Sequence, residues 1–122
     1  PESTSGCSWY NEYRYGLDDL NDVPYVEAIG ATTLRSRYEV ARVTYLLGAN
    51  DTDEDASDLD TTCGAEAQGP NRRARGENFY ESLESVYGRG VYDRHTLRIV
   101  SGVGHSAREM FGSSTGRAAL AE

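Results

Sequence analysis

The chain contains no lysine: its twelve basic residues are all arginine, set against twenty acidic ones for a formal net charge of -8. The arginine preference reads as the codon bias of a GC-rich genome and carries no functional information. Apart from Arg72, Arg73 and Arg75 the cations are scattered, so a phosphate-binding surface for nucleic acid is not supported. Cysteine is equally scarce. Cys7 and Cys63 stand far apart with no neighbour at zinc-ligand spacing, so a disulfide and an oxidising compartment are expected in place of a metal knot. No apolar run approaches the length of a membrane span, and no signal peptide is recognisable.

What is present is a polar globular composition, 38% hydrophobic, with nine tyrosines, over 122 residues that suffice for one domain with a thin core. Residues 1–39 read as an irregular and helical lead-in. It carries Trp9, Tyr10, Tyr13, Tyr15 and Leu17 among Pro, Ser, Gly and Asn, so its aromatics need a surface to pack on; the tyrosines at 10–15 read as packing, not as a ligand box. Pro24 suits the first position of a short helix capped by Asn21 or Asp22, and Thr32 or Thr33 suits the start of another helical turn.

Residues 40–122 read as a strand-helix-strand-helix unit. Val40 to Leu47 is the strongest strand signal, and its β-branched and aromatic run with little alternation predicts a strand buried on both faces of a parallel sheet. After an acidic stretch and a small-residue loop around Gly69-Pro70-Asn71, the residues 76–87 show apolar side chains at helical spacing and stop at Gly88. A second strand, 96–100, follows, then helical turns at 106–111 and at 115–121, the last capped by Ser114 or Thr115. The alternation predicts an α/β layer. Two strands make a poor sheet by themselves, so a larger sheet completed by another polypeptide segment is expected.

Both strands run into a glycine turn that presents one polar residue. The first ends Gly48-Ala-Asn-Asp51, and a carboxylate just past a strand's carboxyl end sits where open α/β sheets keep their ligands. The second ends Ser101-Gly-Val-Gly-His105, where Gly102 and Gly104 allow a sharp turn and leave the imidazole projecting. Such a histidine can take and return a proton near neutral pH. Taken singly, Asp51 is also the first residue of a solvated acidic loop and His105 also a helix cap; His95, at the other end of its strand, is a weaker candidate. The pair matches the chain order acid then histidine of an α/β-hydrolase triad, with the serine upstream.

On these residues the chain resembles the C-terminal part of secreted microbial α/β-hydrolases. The stretches that carry the resemblance are Tyr45-Leu-Leu-Gly-Ala-Asn-Asp51, Cys63-Gly-Ala-Glu-Ala-Gln-Gly-Pro-Asn-Arg72 with Arg75-Gly76, Val103-Gly-His105-Ser-Ala-Arg-Glu-Met-Phe111, and, before the last two strands, Cys7-Ser-Trp-Tyr-Asn-Glu-Tyr-Arg-Tyr-Gly-Leu17. Residues 1–122 would then be about the last third of one hydrolase domain. The resemblance implies an esterase-like serine hydrolase acting on a small ester, without a cofactor, with Asp51 as triad acid and His105 as base. No G-x-S-x-G occurs upstream of His105, where the triad order places the nucleophile; the one such string, Gly112-Ser113-Ser114-Thr115-Gly116, follows the histidine. The nucleophile and the oxyanion donors are therefore expected on an N-terminal chain of the same enzyme, and residues 1–6 have the small, polar character of a loop that proteases cut.

A rival lies in the acidic run. Asp51, Asp53, Asp55 and Ser57 fall at positions 1, 3, 5 and 7 of a calcium loop, which would make the chain a small acidic binding module without catalysis; Ala56 and Thr62 stand where that loop needs Gly and Glu. Asn50-Asp51-Thr52 is also a glycosylation sequon, and a sugar there would crowd the acid, so Asn50 is expected to be unmodified. Arg72, Arg73 and Arg75 are expected to pair with nearby carboxylates.

Overall fold

A computed structural model describes residues 7–9, 17, 20 and 24–122. The expected cap at Asn21 or Asp22, the tyrosines at 10, 13 and 15, and the loop 1–6 lie outside the described residues. Helices α1 (Pro24–Ile29) and α2 (Ala31–Val40) lead into strand β1 (Val43–Gly48). A short helix α3 (Cys63–Glu66), the long α4 (Arg72–Tyr87) and a 3-10 turn (Arg89–Asp93) connect it to β2 (His95–Val100), and α5 (Ala107–Gly112) and α6 (Ser114–Leu120) close the chain. The class is a mixed helix and strand fold built on a parallel strand pair.

The strands pair in parallel and without stagger, Val43 opposite His95 through Gly48 opposite Val100. Both strands therefore finish at the same level. The loops that follow them, one carrying Asp51 and the other His105, leave the sheet side by side. Among the described residues the sheet has these two strands alone. β1 is accordingly half-buried along most of its length, not covered on both faces as its composition predicts. Its start also differs: Val40 ends α2 and is 64% exposed, and the chain turns extended only at Ala41. A β-branched residue at a helix terminus costs little, so propensity alone misplaces that boundary.

α4 is the helix that joins the strands, and it begins at Arg72, ahead of the expected Gly76. Asn71 supplies the cap, its side-chain oxygen accepting from the Ala74 amide at 2.9 Å. Gly76 lies inside the helix because a Cβ there would overlap the δ-methyls of Leu47. The missing side chain lets α4 press onto β1. Leu83 on the same helix is fully buried and joins Val91, Val100 and Val103 among the buried apolar side chains, whereas Val86 is 46% exposed and leaves the expected apolar stripe. The helix ends where predicted, Gly88 taking φ 80°. β2 starts at His95, and the last helix starts at Ser114 with Ser113 as its cap, one position ahead of the residues expected there.

Cys7 and Cys63 are joined, with Cα atoms 5.9 Å apart across 56 residues of sequence. By loop-closure entropy such a bridge is worth about 4 kcal/mol. It fastens the lead-in to the first residue of α3. The opposite end of the sheet is held by a polar cluster. His95 is 0% exposed; its Nε2–H donates to the Tyr38 carbonyl at 2.8 Å and its Nδ1 accepts from the Tyr45 hydroxyl at 2.8 Å. Tyr38 also bonds Tyr45 through the two hydroxyls, the Tyr80 hydroxyl donates to the His95 carbonyl at 3.0 Å, and Arg94 Nε donates to the Glu39 carbonyl at 3.0 Å. Buried polar groups with every partner in place define one packing arrangement.

Candidate functional site

Asp51 and His105, separated by 54 positions in sequence, meet at the carboxyl end of the strand pair: His105 Nδ1 lies 3.0 Å from Asp51 Oδ2. Their loops are held together by backbone bonds. The amides of Ala49 and Asn50 donate to the carbonyls of Val100 and Val103, each at 2.9 Å, so the parallel ladder continues beyond the last strand residues. Gly48 is the crossing point. A Cβ there would lie 2.5 Å from the Val103 carbonyl oxygen and 2.6 Å from that of Gly104, so no other residue fits without parting the two loops. Of the two glycines expected to shape the second turn, Gly102 takes φ 73° and needs its freedom, whereas Gly104 does not adopt a left-handed backbone.

The N-terminus of α4 holds the Asp51 loop from the other side. Arg73 donates its amide to the Asp51 carbonyl at 3.0 Å and its Nη1 to the Ala49 carbonyl at 3.0 Å. The acid is thus sheltered, its side chain 14% exposed, while the His105 side chain is 60% exposed. With Asp51 at Nδ1, the ring presents Nε2 outward, and among the described residues nothing bonds that nitrogen. Ser106, the hydroxyl next to His105 in sequence, is engaged as the cap of α5, accepting from the Glu109 amide at 3.2 Å. The cap role considered for His105 belongs to Ser106.

The three arginines pair with carboxylates as expected. Arg73 meets Glu77 at 3.0 Å and Arg75 meets Glu66 at 3.2 Å. Arg72 reaches back to the loop after β1, with Nη2 2.9 Å from Asp58 Oδ1 and Nη1 3.8 Å from Asp51 Oδ1. Its hydrogen bond holds the Asp58 carboxyl below the usual carboxylate range, with the Asp58 amide and the guanidinium charge adding to the effect.

The first residues of the calcium alternative are engaged elsewhere. Asp51 is turned toward His105 and the Arg72 cation, and Asp53 accepts the Asp55 amide at 2.9 Å in a tight local turn. Among the described residues no group of three or more acidic, His or Cys side chains is arranged around a common point. Asn50, the sequon residue, is exposed. His95, the weaker candidate, is enclosed at the far end of β2.

The sequence reading missed the walls. A cavity of about 380 Å³ opens beside Asp51, Arg72 and His105, and its apolar side is formed by Leu46, Leu47, Met110 and Phe111. Phe111, 49% exposed, was legible only as part of a helical turn. An acid-base pair at the rim of a partly apolar cleft can move a proton to or from a group bound there. No protein-family model, curated protein or solved structure matches the chain.

Proposed function

We propose that this chain contributes the acid and the base of a serine hydrolase that cleaves a carboxylic ester or related acyl bond, as the last two strands and helices of an α/β-hydrolase sheet. The observation that carries the reading is the 3.0 Å contact between His105 Nδ1 and Asp51 Oδ2 at the shared carboxyl end of two parallel strands. The serine, its oxyanion donors and the remaining strands belong to an N-terminal chain of the same enzyme. The disulfide is in keeping with secretion.

In this reading the partner's serine hydroxyl sits against Nε2 of His105. As its oxygen attacks the ester carbonyl, the proton passes to Nε2, and the imidazolium that forms is stabilised by the Asp51 carboxylate at Nδ1. Asp51 also fixes the tautomer: an acceptor at Nδ1 keeps the hydrogen there and leaves the lone pair on Nε2. Collapse of the tetrahedral intermediate returns the proton to the leaving alcohol. Water then repeats the cycle on the acyl-enzyme, with backbone donors of the partner holding the oxyanion.

The test is physical before it is kinetic. Intact mass of the purified material, native and then denatured and non-reduced, should reveal a companion chain of about twice this size. A fluorophosphonate should label that companion and leave this chain unlabelled. Recovery of this chain as an active, labelled species by itself, or of a companion that never labels, would refute the assignment.

A further inference from the structure

We infer that Arg72, anchored by Asp58, is a positioning residue for the Asp51–His105 pair: it fixes the roll of the Asp51 carboxylate and sets how much negative charge the imidazole feels. The two oxygens of that carboxylate are divided, Oδ2 to His105 Nδ1 at 3.0 Å and Oδ1 toward Arg72 Nη1 at 3.8 Å. A half-turn of the carboxyl only exchanges its two equivalent oxygens, whereas a partial rotation would lengthen both contacts together. Arg72 in turn is anchored by a short contact, Nη2 to Asp58 Oδ1 at 2.9 Å, while its other terminal nitrogen stays within ion-pair distance of Asp51.

The position of Arg72 in α4 supports a role outside the helix. The first turn of α4 holds no acidic residue. A cation there opposes the helix dipole, at a cost of a few tenths of a kcal/mol on exposed surfaces. Arg73 and Arg75 are answered by Glu77 on α4 and Glu66 on α3. Arg72 instead spans two carboxylates of the loop after β1, one of which holds the histidine. The environment is partly dehydrated, with Arg72 20% and Asp51 14% exposed, so the charges are less screened than on open surface. Asp58, 71% exposed, is the solvent-facing end of the chain Asp58, Arg72, Asp51, His105. α4 also brings Arg73, paired with Glu77, to the same cleft, and α5, which follows His105, adds Arg108 and Glu109, both exposed.

The two outer members have opposite effects. Removing the cation leaves Asp51 uncompensated, which favours the protonated imidazole. Removing Asp58 leaves Arg72 uncompensated, which weakens the pull of Asp51 on the imidazole proton. The chain has two histidines, and His95, enclosed at the far end of the sheet, is an internal reference.

The experiment is an NMR titration of the imidazole resonances in the full chain, as purified, for wild type, Arg72→Met, Arg72→Lys and Asp58→Asn at low salt. The His105 midpoint should rise by about half a pH unit in Arg72→Met and fall by a few tenths, roughly, in Asp58→Asn. Arg72→Lys, which keeps the charge, should return it most of the way to wild type, and His95 should not move. Asp58 is exposed, so its variant keeps the fold whatever happens to Arg72→Met. Shifts of the same sign, or no shift in Asp58→Asn, would overturn the inference. Its catalytic meaning rests on the hydrolase reading, but the titration does not. Midpoints that move apart without a labelled companion serine keep the charge chain and remove the hydrolase; a labelled companion with unmoved midpoints does the reverse.

Discussion

The two histidines occupy opposite ends of one strand region and opposite environments. His95 opens β2, is 0% exposed, and has both ring nitrogens bonded, one to the Tyr38 carbonyl and one to the Tyr45 hydroxyl. His105 follows the same strand by a short turn, has a 60% exposed side chain and, among the described residues, has one nitrogen bonded and one open. The same side chain is a cross-link in the first case and an oriented, exposed imidazole in the second. What separates them is whether the ring's second nitrogen is satisfied by the chain itself. A fully bonded imidazole has nothing left to offer a substrate, whereas a half-bonded one is oriented and still available.

That contrast breaks first at the exposed end. On the proposed hydrolase function, His105→Ala should abolish nearly all turnover without altering the circular dichroism, and Asp51→Asn should cost on the order of 10⁴ in rate by presenting the wrong tautomer. Ester hydrolysis at wild-type rate in either variant would erase the distinction between the two histidines.

The buried end should respond in the other currency. His95→Ala leaves a void and strips partners from Tyr45 and Tyr38, for a loss of about 3 kcal/mol in urea denaturation, while the rate per folded molecule stays unchanged. A loss well under 1 kcal/mol would show that the tyrosine cluster does not depend on the ring.

Gly48→Ala sits between these extremes. Its methyl would press on the carbonyls of Val103 and Gly104. A stability loss of about 1–3 kcal/mol is expected, with turnover falling as the Asp51 and His105 loops part. Thermal melting and the rate, measured on the same sample, check both parts. A variant as stable and active as wild type would mean that the loops adjust freely.

The smallest effect is an alkaline one. Burial pushes the phenols of Tyr45, Tyr87 and Tyr92 above their usual range, and in Tyr45 the bond to Tyr38 adds to it. Each folded pKa lies above the unfolded value, so the folded chain retains protons that the unfolded chain gives up. The stability tied to these groups is whole below about pH 10 and declines as pH rises past it. Absorbance at the tyrosinate band should therefore rise in two stages, the second coinciding with loss of circular dichroism. A single ordinary titration of all nine tyrosines with the fold intact would contradict the packing around His95.

Parts of this arrangement were legible from local residues. β1 and β2 show in the β-branched runs, Gly88 marks the end of α4, and a polar residue after each strand's glycine turn marks Asp51 and His105. Other parts were not, because their cause lies elsewhere in the chain. Gly76 looks like a helix boundary but is a contact with Leu47. Gly48 looks like an ordinary turn glycine but is the place where two loops cross. Asn71 carried a local cap signal that the neighbouring Gly69 and Pro70 obscured.

By itself the sequence determined, to within a few residues, where the two strands and the end of α4 fall and that one acid and one histidine follow the strands, since those depend on local backbone preferences. The tertiary structure decided that the strands pair without stagger, that Asp51 faces His105 and not His95, and that Arg72 turns back to the same carboxylate. The reason is physical: register, burial and the direction of a hydrogen bond depend on which distant segments pack together.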